Sequence, residues 1–121
     1  MSKQKETGKG GLTSQIKKLL DEIQAYVPMF YYVRNQVATI RRERIISKTP
    51  ENEKGRPDFE IIWNGQFYGW ELKTDKGELS EFQEKQKERI EAAGGIYEII
   101  RSYDDAIHKI NSYGIFFKRT G

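Results

Sequence analysis

The segment RPDFEIIWNGQFYGWELK, residues 56–73, decides the fold because two strand-like runs flank an Asn-Gly pair. Asn64-Gly65 is the preferred dipeptide of a two-residue type I′ turn, so the flanking runs are predicted to form an antiparallel hairpin. Counting outward from this turn, Asp58 faces Glu71 across the hairpin. Two carboxylates in that position, about 5 Å apart at Cβ, repel each other unless a positive charge lies between them. The hairpin therefore predicts a cation site at the end away from its turn.

Side-chain alternation gives this hairpin one apolar face and one mixed face. The apolar face, which is predicted to be core, comprises Phe59, Ile61, Trp63, Tyr68, Trp70 and Leu72. The mixed face comprises Asp58, Glu60, Ile62, Phe67, Gly69, Glu71 and Lys73. A hard divalent cation with oxygen ligands would satisfy the two facing acids. The alternative is an exposed polar face with a neighbouring Glu-Lys pair and no ligand.

The patterns outside the hairpin predict a mixed α/β domain. They indicate a helix capped by Thr13 or Ser14 and ending near Tyr26, a strand over 29–35, a helix with a Ser80–Gln83 capping box, a strand over 96–101 and a helix with a Ser102–Asp105 capping box. Residues 1–11 are expected to form a flexible basic tail, and 12–121 a single domain. Three tyrosines are predicted to be core residues and one histidine a surface residue: Tyr31, Tyr32, Tyr97 and His108.

Composition restricts the chemistry that this chain could perform. Its 121 residues include no Cys and one His, which excludes a disulfide framework, a thiol nucleophile and a multi-histidine metal site. Carboxylates, lysines and arginines remain. The net charge of +3 leans towards polyanionic partners, and the positive excess is concentrated in residues 30–56. This stretch is either a solvated basic loop or a set of phosphate contacts, for which the candidates are Arg34, Arg41, Arg42, Arg44 and Arg56.

Four motifs follow one another along the chain: GRPD at 55–58, ELK at 71–73, TDKGELSEFQ at 74–83 and AGGIYEIIRS at 93–102. In this order they resemble the VRR-NUC domain, a branch of the PD-(D/E)xK nuclease superfamily, over about residues 14–110. The resemblance implies a restriction-endonuclease-like α/β fold. Its central mixed sheet would contain the hairpin of about 57–73 and be flanked by helices in the order αβββαβ, with one further C-terminal helix.

The resemblance also implies roles for individual residues. Asp58 and Glu71 would bind Mg²⁺ or Mn²⁺, together with the backbone carbonyl of Leu72. Lys73 would orient and polarise the attacking water or offset charge on the phosphate. Gln83 matches a glutamine of the family, and its role in the capping box does not exclude a role in the site.

The sequence departs from the family pattern on the first helix. The family usually has a glutamate there, whereas the corresponding residue here is Gln15. A neutral amide is a weaker ligand for Mg²⁺ than a carboxylate. Glu22, seven residues further along, is the alternative ligand, and a water molecule is another. The departure bears on a second metal ion rather than on the Asp-Glu-Lys set.

The expected function is that of a metal-dependent, structure-specific DNA endonuclease similar to homodimeric Holliday-junction resolvases of phage or bacterial origin. A non-catalytic DNA-binding module and a nicking or restriction-type nuclease acting on duplex DNA are the alternatives. Residues 115–117 and 37–46 are candidate dimer contacts. The sequence contains no apolar run long enough to span a membrane and no signal peptide, so we expect a soluble cytoplasmic protein.

Overall fold

A computed structural model describes residues 11–35, 54–74 and 76–116. These residues form α1 (Leu12–Tyr26), β1 (Phe30–Arg34), β2 (Phe59–Trp63), β3 (Gln66–Leu72), α2 (Glu81–Ala92), β4 (Ile96–Ile100) and α3 (Tyr103–Ser112). The strands form one sheet in the order β1-β2-β3-β4. The first two pairs are antiparallel and β3–β4 is parallel. The prediction of an α/β domain with a mixed sheet is confirmed.

The central hairpin has the predicted register. Trp63 pairs with Gln66 and Phe59 with Trp70. Asn64 and Gly65 both have positive φ, 51° and 81°, as a type I′ turn requires. The predicted apolar face is the core face, since its members are buried except for the half-buried Trp63.

The sheet lies between helices on both faces. α1 and α3 pack on the apolar face of the hairpin, where their buried residues join one core cluster with those of the sheet. α2 covers part of the opposite face, where Ile90 lies over Gly69 and Gly95. On α2, Phe82, Gln86 and Ile90 are half-buried, whereas Ala93, directly after the helix, is exposed.

The predicted cap of α1 is wrong. The helix begins at Leu12, its N-cap is Gly11, and no side chain caps it. The reason is burial: Leu12 and Ile16 are both fully buried, which extends the apolar stripe one turn towards the N-terminus. Glycine is an acceptable N-cap residue, so burial decides where the helix starts. Residues 1–10 of the predicted tail lie outside the described residues.

The second capping box is half correct. The Ser102 hydroxyl accepts from the Asp105 amide at 3.0 Å, as predicted. The Asp105 carboxylate, however, accepts from the Arg101 amide at 2.9 Å and not from that of Ser102. Capping boxes use Glu or Gln at this position, and the shorter Asp bonds one residue earlier. Because the Arg101 amide is engaged in this way, β4 ends at Ile100, one residue before the predicted end.

Burial of the three tyrosines differs from one to another. Tyr32 and Tyr97 are buried, as predicted, and His108 is exposed, also as predicted. The prediction that Tyr31 is a core residue is wrong, since this side chain is 55% exposed. It lies opposite Ile62, also exposed, on the part of the sheet that α2 does not cover. Within the described segments, no helix has the length and apolar character needed to cross a membrane.

Candidate active site

One edge of the sheet collects the residues that the sequence singled out. β1, β3 and β4 end at this edge, and β2 begins there, because β2 runs antiparallel to its neighbours. Arg34 is therefore the last residue of its strand, Asp58 directly precedes β2, and Glu71 is the penultimate residue of β3. The chain leaves β3 through Lys73 and enters α2 after a short loop. These residues define the candidate active site.

Asp58 and Glu71 lie together as the hairpin register predicts. The Asp58 Oδ2 atom accepts a hydrogen bond of 2.7 Å from the Leu72 amide, which fixes the carboxyl group against the end of β3. The side chain of Glu71, which is only 4% exposed, interacts with that of Asp58 and lowers its pKa. Two acids in such contact require a proton or a cation between them.

Electrostatics favour a proton on this pair. Burial raises the pKa of Asp58 above its usual value. Four interactions lower this pKa but do not offset the effect of burial. They are the hydrogen bond from the Leu72 amide, the side-chain interaction with Glu71, and the positive charges of Lys73 and Arg34. A carboxyl pair that is costly to ionise alone becomes favourable to ionise when a metal ion replaces the proton. The pair therefore has the electrostatic character of a cation site.

Gln83 joins the start of α2 to the acid pair. Its Nε2 donates to Glu71 Oε2 at 2.8 Å, and its Oε1 accepts from the Ser80 amide at 2.8 Å. The Ser80 hydroxyl accepts from the Gln83 amide at 3.2 Å and completes the capping box. The two roles considered for Gln83 thus coexist: one side chain caps the helix and orients a carboxylate.

The loop before Asp58 is held against the first turns of α2. Gly55 has a φ of +80°, and a Cβ added there would lie 2.4 Å from the carbonyl carbon and oxygen of Phe82. The Lys54 ammonium lies 5.0 Å from the centre of the Phe82 ring. The backbone carbonyl of Lys54 accepts a hydrogen bond of 3.2 Å from the Gln86 side chain. Only glycine permits this approach, so the GRPD motif has a structural reason for its first residue.

Asn35 is a residue that the sequence analysis missed. Its side-chain amide donates to the Pro57 carbonyl at 2.7 Å and to Glu60 at 3.0 Å. Its backbone amide donates to the Asp58 carbonyl at 2.8 Å. Asn35 therefore fixes the backbone that carries Asp58. The available signal was an asparagine as the last residue of a predicted strand, because asparagine favours side-chain bonds to nearby backbone.

The predicted phosphate-contacting residues are only partly placed. Arg34 is exposed, and its charge lowers the pKa of Asp58, so it lies near the acid pair. Arg56 is also exposed and pairs with Glu60 at 3.4 Å. Three further candidates, Arg41, Arg42 and Arg44, lie outside the described residues, as do candidate dimer contacts 37–46 and Phe117.

Gln15 lies in the first turn of α1. Residues 27–29 reverse the chain between α1 and β1, so the start of the helix lies beside the end of the strand. The Gln15 Oε1 atom is buried and accepts no hydrogen bond from the described residues. Glu22 lies about 10 Å further along the helix axis, away from this edge. Of the two candidates on α1, Gln15 is thus better placed.

The donor set fits a hard divalent cation. It consists of the Asp58 and Glu71 carboxyl groups, whose oxygens are of the kind that Mg²⁺ and Mn²⁺ prefer, and the amide oxygen of Gln15 remains a predicted ligand. The Leu72 carbonyl remains a predicted ligand. The carboxylates are two rather than three: the described residues contain no cluster of three or more His, Cys, Asp or Glu suited to a metal ion.

Comparison with known proteins identifies no relative. No family model, no curated protein and no solved structure matches this chain. The resemblance to the VRR-NUC domain thus depends on the four motifs alone.

Proposed function

We propose that this chain is a divalent-metal-dependent DNA endonuclease that hydrolyses phosphodiester bonds. The observation that carries the proposal is the interaction between Asp58 and Glu71 at the sheet edge, with Lys73 directly after the strand that carries Glu71. Phosphodiester hydrolysis needs a nucleophilic water and neutralisation of a highly anionic transition state. Two carboxylates that require a cation, beside a lysine, are groups suited to both needs.

The protein's own groups divide the work as follows. Asp58, Glu71 and Gln15 would hold Mg²⁺ or Mn²⁺, which when bound supplies Lewis acidity and positive charge. The Leu72 amide fixes Asp58, and Gln83 fixes Glu71, so both carboxylates are oriented before any ligand arrives. Preorganised groups need little rearrangement during the reaction, which is the main source of electrostatic catalysis.

Two cationic groups would act on the nucleic acid. The Lys73 ammonium would orient the attacking water or offset charge on the scissile phosphate. Arg34, exposed at the end of β1, would contact a phosphate next to the cleaved bond, and Arg56 would contact another after exchanging its partner Glu60. Such contacts bind the DNA backbone without reading sequence.

The preferred substrate in this proposal is branched DNA. The motif resemblance points to small Holliday-junction resolvases, in which two copies of the chain would cut two strands of a four-way junction symmetrically. A homodimer is accordingly part of the proposal. A nicking or restriction-type activity on ordinary duplex DNA is the alternative within the same chemistry.

A specific observation favours a second candidate function. Gln15 stands where the family usually has an acid, and among the described residues two carboxylates meet at the edge. A site with fewer negative charges binds metal more weakly. The second candidate is therefore a non-catalytic DNA-binding module with the same fold.

A substrate panel distinguishes these functions. Labelled four-way junction, flap, splayed-arm and duplex DNA are incubated with the protein and Mg²⁺ or Mn²⁺. We expect junction cleavage by the wild type and by the control Lys76→Ala, which removes an exposed charge near the site. Asp58→Asn and Lys73→Ala should each lower the rate by about a hundredfold or more.

The other outcomes are equally informative. Cleavage that survives either active-site substitution would refute the site assignment. Junction binding without cleavage in both metals would favour the non-catalytic module. Equal cleavage of duplex and junction would favour the nicking activity.

A further inference from the structure

Tyr97 is a buried tyrosine on the same face of the sheet as the acid pair. It lies in β4 opposite Gly69, two residues before Glu71 on β3, and is 6% exposed. Its hydroxyl is buried and has no hydrogen-bond partner among the described residues. A buried hydroxyl without a partner is costly, so such a group in a functional edge calls for an explanation.

Two other tyrosines among the described residues have hydroxyl groups with hydrogen-bond partners. Tyr32 donates to Asp21, and Tyr113 donates to Glu98. Both of these bonds join neighbouring elements on the core side of the sheet. Tyr97 differs because it lies on the face of the sheet that carries Glu71 and its hydroxyl bonds to none of the described residues.

Three carboxylate charges act on the Tyr97 hydroxyl, and all of them raise its pKa. Burial raises the pKa of Tyr97, and the charges of Glu71, Asp58 and Glu84 raise it further, in that order. The hydroxyl is thus within electrostatic range of both acids of the candidate site. A gap between a donor and two acceptors in a buried polar region is suited to one water molecule, which needs two to four polar partners.

We propose that Tyr97 is a positioning residue of the candidate metal site, whose hydroxyl donates a hydrogen bond to a water shared by the carboxylates of Glu71 and Asp58. The water accepts from Tyr97 and donates to one oxygen of each acid, so every hydrogen bond has one donor and one acceptor. This inference rests on the proposed function. Groups that orient metal ligands in this way raise metal affinity without contacting the metal.

The decisive variant is Tyr97→Phe, which removes only the hydroxyl. Its matched control is Tyr32→Phe, which removes a buried hydroxyl bonded to Asp21 on the opposite side of the sheet. Mn²⁺ binding is titrated by electron paramagnetic resonance, and folding is followed by urea denaturation. We expect about tenfold weaker Mn²⁺ binding for Tyr97→Phe and unchanged binding for Tyr32→Phe. We also expect Tyr97→Phe to unfold at a lower urea concentration without metal, because it loses the bound water.

Three results would overturn the proposal. If Tyr97→Phe binds Mn²⁺ like the wild type, the positioning role is refuted and the proposed function is unaffected. If both variants weaken binding equally, the effect is structural and the role is likewise refuted. If the wild type binds neither Mn²⁺ nor Mg²⁺, the metal-dependent function fails together with this inference.

Discussion

Gly55→Ala tests whether the loop docked on α2 positions Asp58. The added Cβ would lie 2.4 Å from backbone atoms of Phe82 and 2.7 Å from the Gln83 amide nitrogen. These are backbone atoms of the first turn of a helix and cannot rotate away. Either the loop or the helix start must move, and Asp58 follows Gly55 by three residues.

A second glycine separates the two costs of this substitution. Gly65 has nearly the same φ, +81° against +80°, but an added Cβ there meets nothing within 4 Å. Gly65→Ala therefore carries only the left-handed backbone strain, roughly 1–2 kcal/mol. Gly55→Ala carries the same strain plus the overlap, about 1–3 kcal/mol for a forced shift of packed groups. We expect a total loss of about 2–5 kcal/mol at Gly55.

Urea unfolding of both variants with equal m-values measures this difference. Mn²⁺ titration then asks whether displacement of the loop disturbs the acid pair. We expect weaker Mn²⁺ binding for Gly55→Ala and unchanged binding for Gly65→Ala. Equal losses of stability in the two variants would refute the close approach of loop and helix. A large loss at Gly55 with unchanged Mn²⁺ binding would refute the inference that the loop positions Asp58.

Three further predictions concern the acids, the helix cap and the core. Since the pKa of Asp58 is raised on folding, the free energy of unfolding should fall as pH rises from about 3.8 through the raised value. Urea unfolding at pH 4–8 should therefore show Asp58→Asn becoming more stable relative to the wild type as pH rises. A difference in stability that does not change with pH would contradict this. Ser80→Ala should lower the stability by about 1 kcal/mol and leave Mn²⁺ binding intact, whereas Gln83→Ala should lower the stability and also weaken Mn²⁺ binding. Identical Mn²⁺ titrations for the two variants would contradict the role of Gln83 in orienting the Glu71 carboxylate. Tyr113→Phe leaves the buried indole N–H of Trp70 without its acceptor at 2.9 Å and should lower the stability by about 1–3 kcal/mol. The control Tyr26→Phe, at an exposed tyrosine, should lose no stability, and thermal unfolding compares the two variants.

The parts of this fold that sequence predicts best are those fixed by local chemistry. Asn64-Gly65 determines the turn, the turn determines the register, and the register brings Asp58 to Glu71. The Ser80–Gln83 box is equally local, since both partners lie within one helical turn. Each prediction depends on neighbouring residues and on side-chain periods that tertiary contacts do not override.

The errors arise where distant contacts decide. α1 starts at Leu12 because the core buries that residue, which a cap motif does not reveal. Tyr31 is exposed because α2 covers only part of its sheet face. Asn35 was missed because its partners lie more than twenty residues away. Contacts of this kind follow from packing, which a single sequence shows only indirectly.

The core face and the candidate active site differ in how their polar groups are satisfied, and this contrast argues for the location of function. On the core face, Trp63 and Trp70 both donate to Tyr113, which in turn donates to Glu98, so this network is satisfied.

At the candidate active site, burial raises the pKa of the half-buried Asp58, and the Tyr97 hydroxyl has no hydrogen-bond partner among the described residues. A folding core gains nothing from such groups, since apolar residues of similar shape would be more stable. These polar groups lie where Gly55 also approaches a helix backbone. Groups that lower the stability are expected to cluster in this way at a site that binds a ligand. A metal ion with its water shell would satisfy both the Asp58 carboxyl group and the Tyr97 hydroxyl, which no substitution within the core could do.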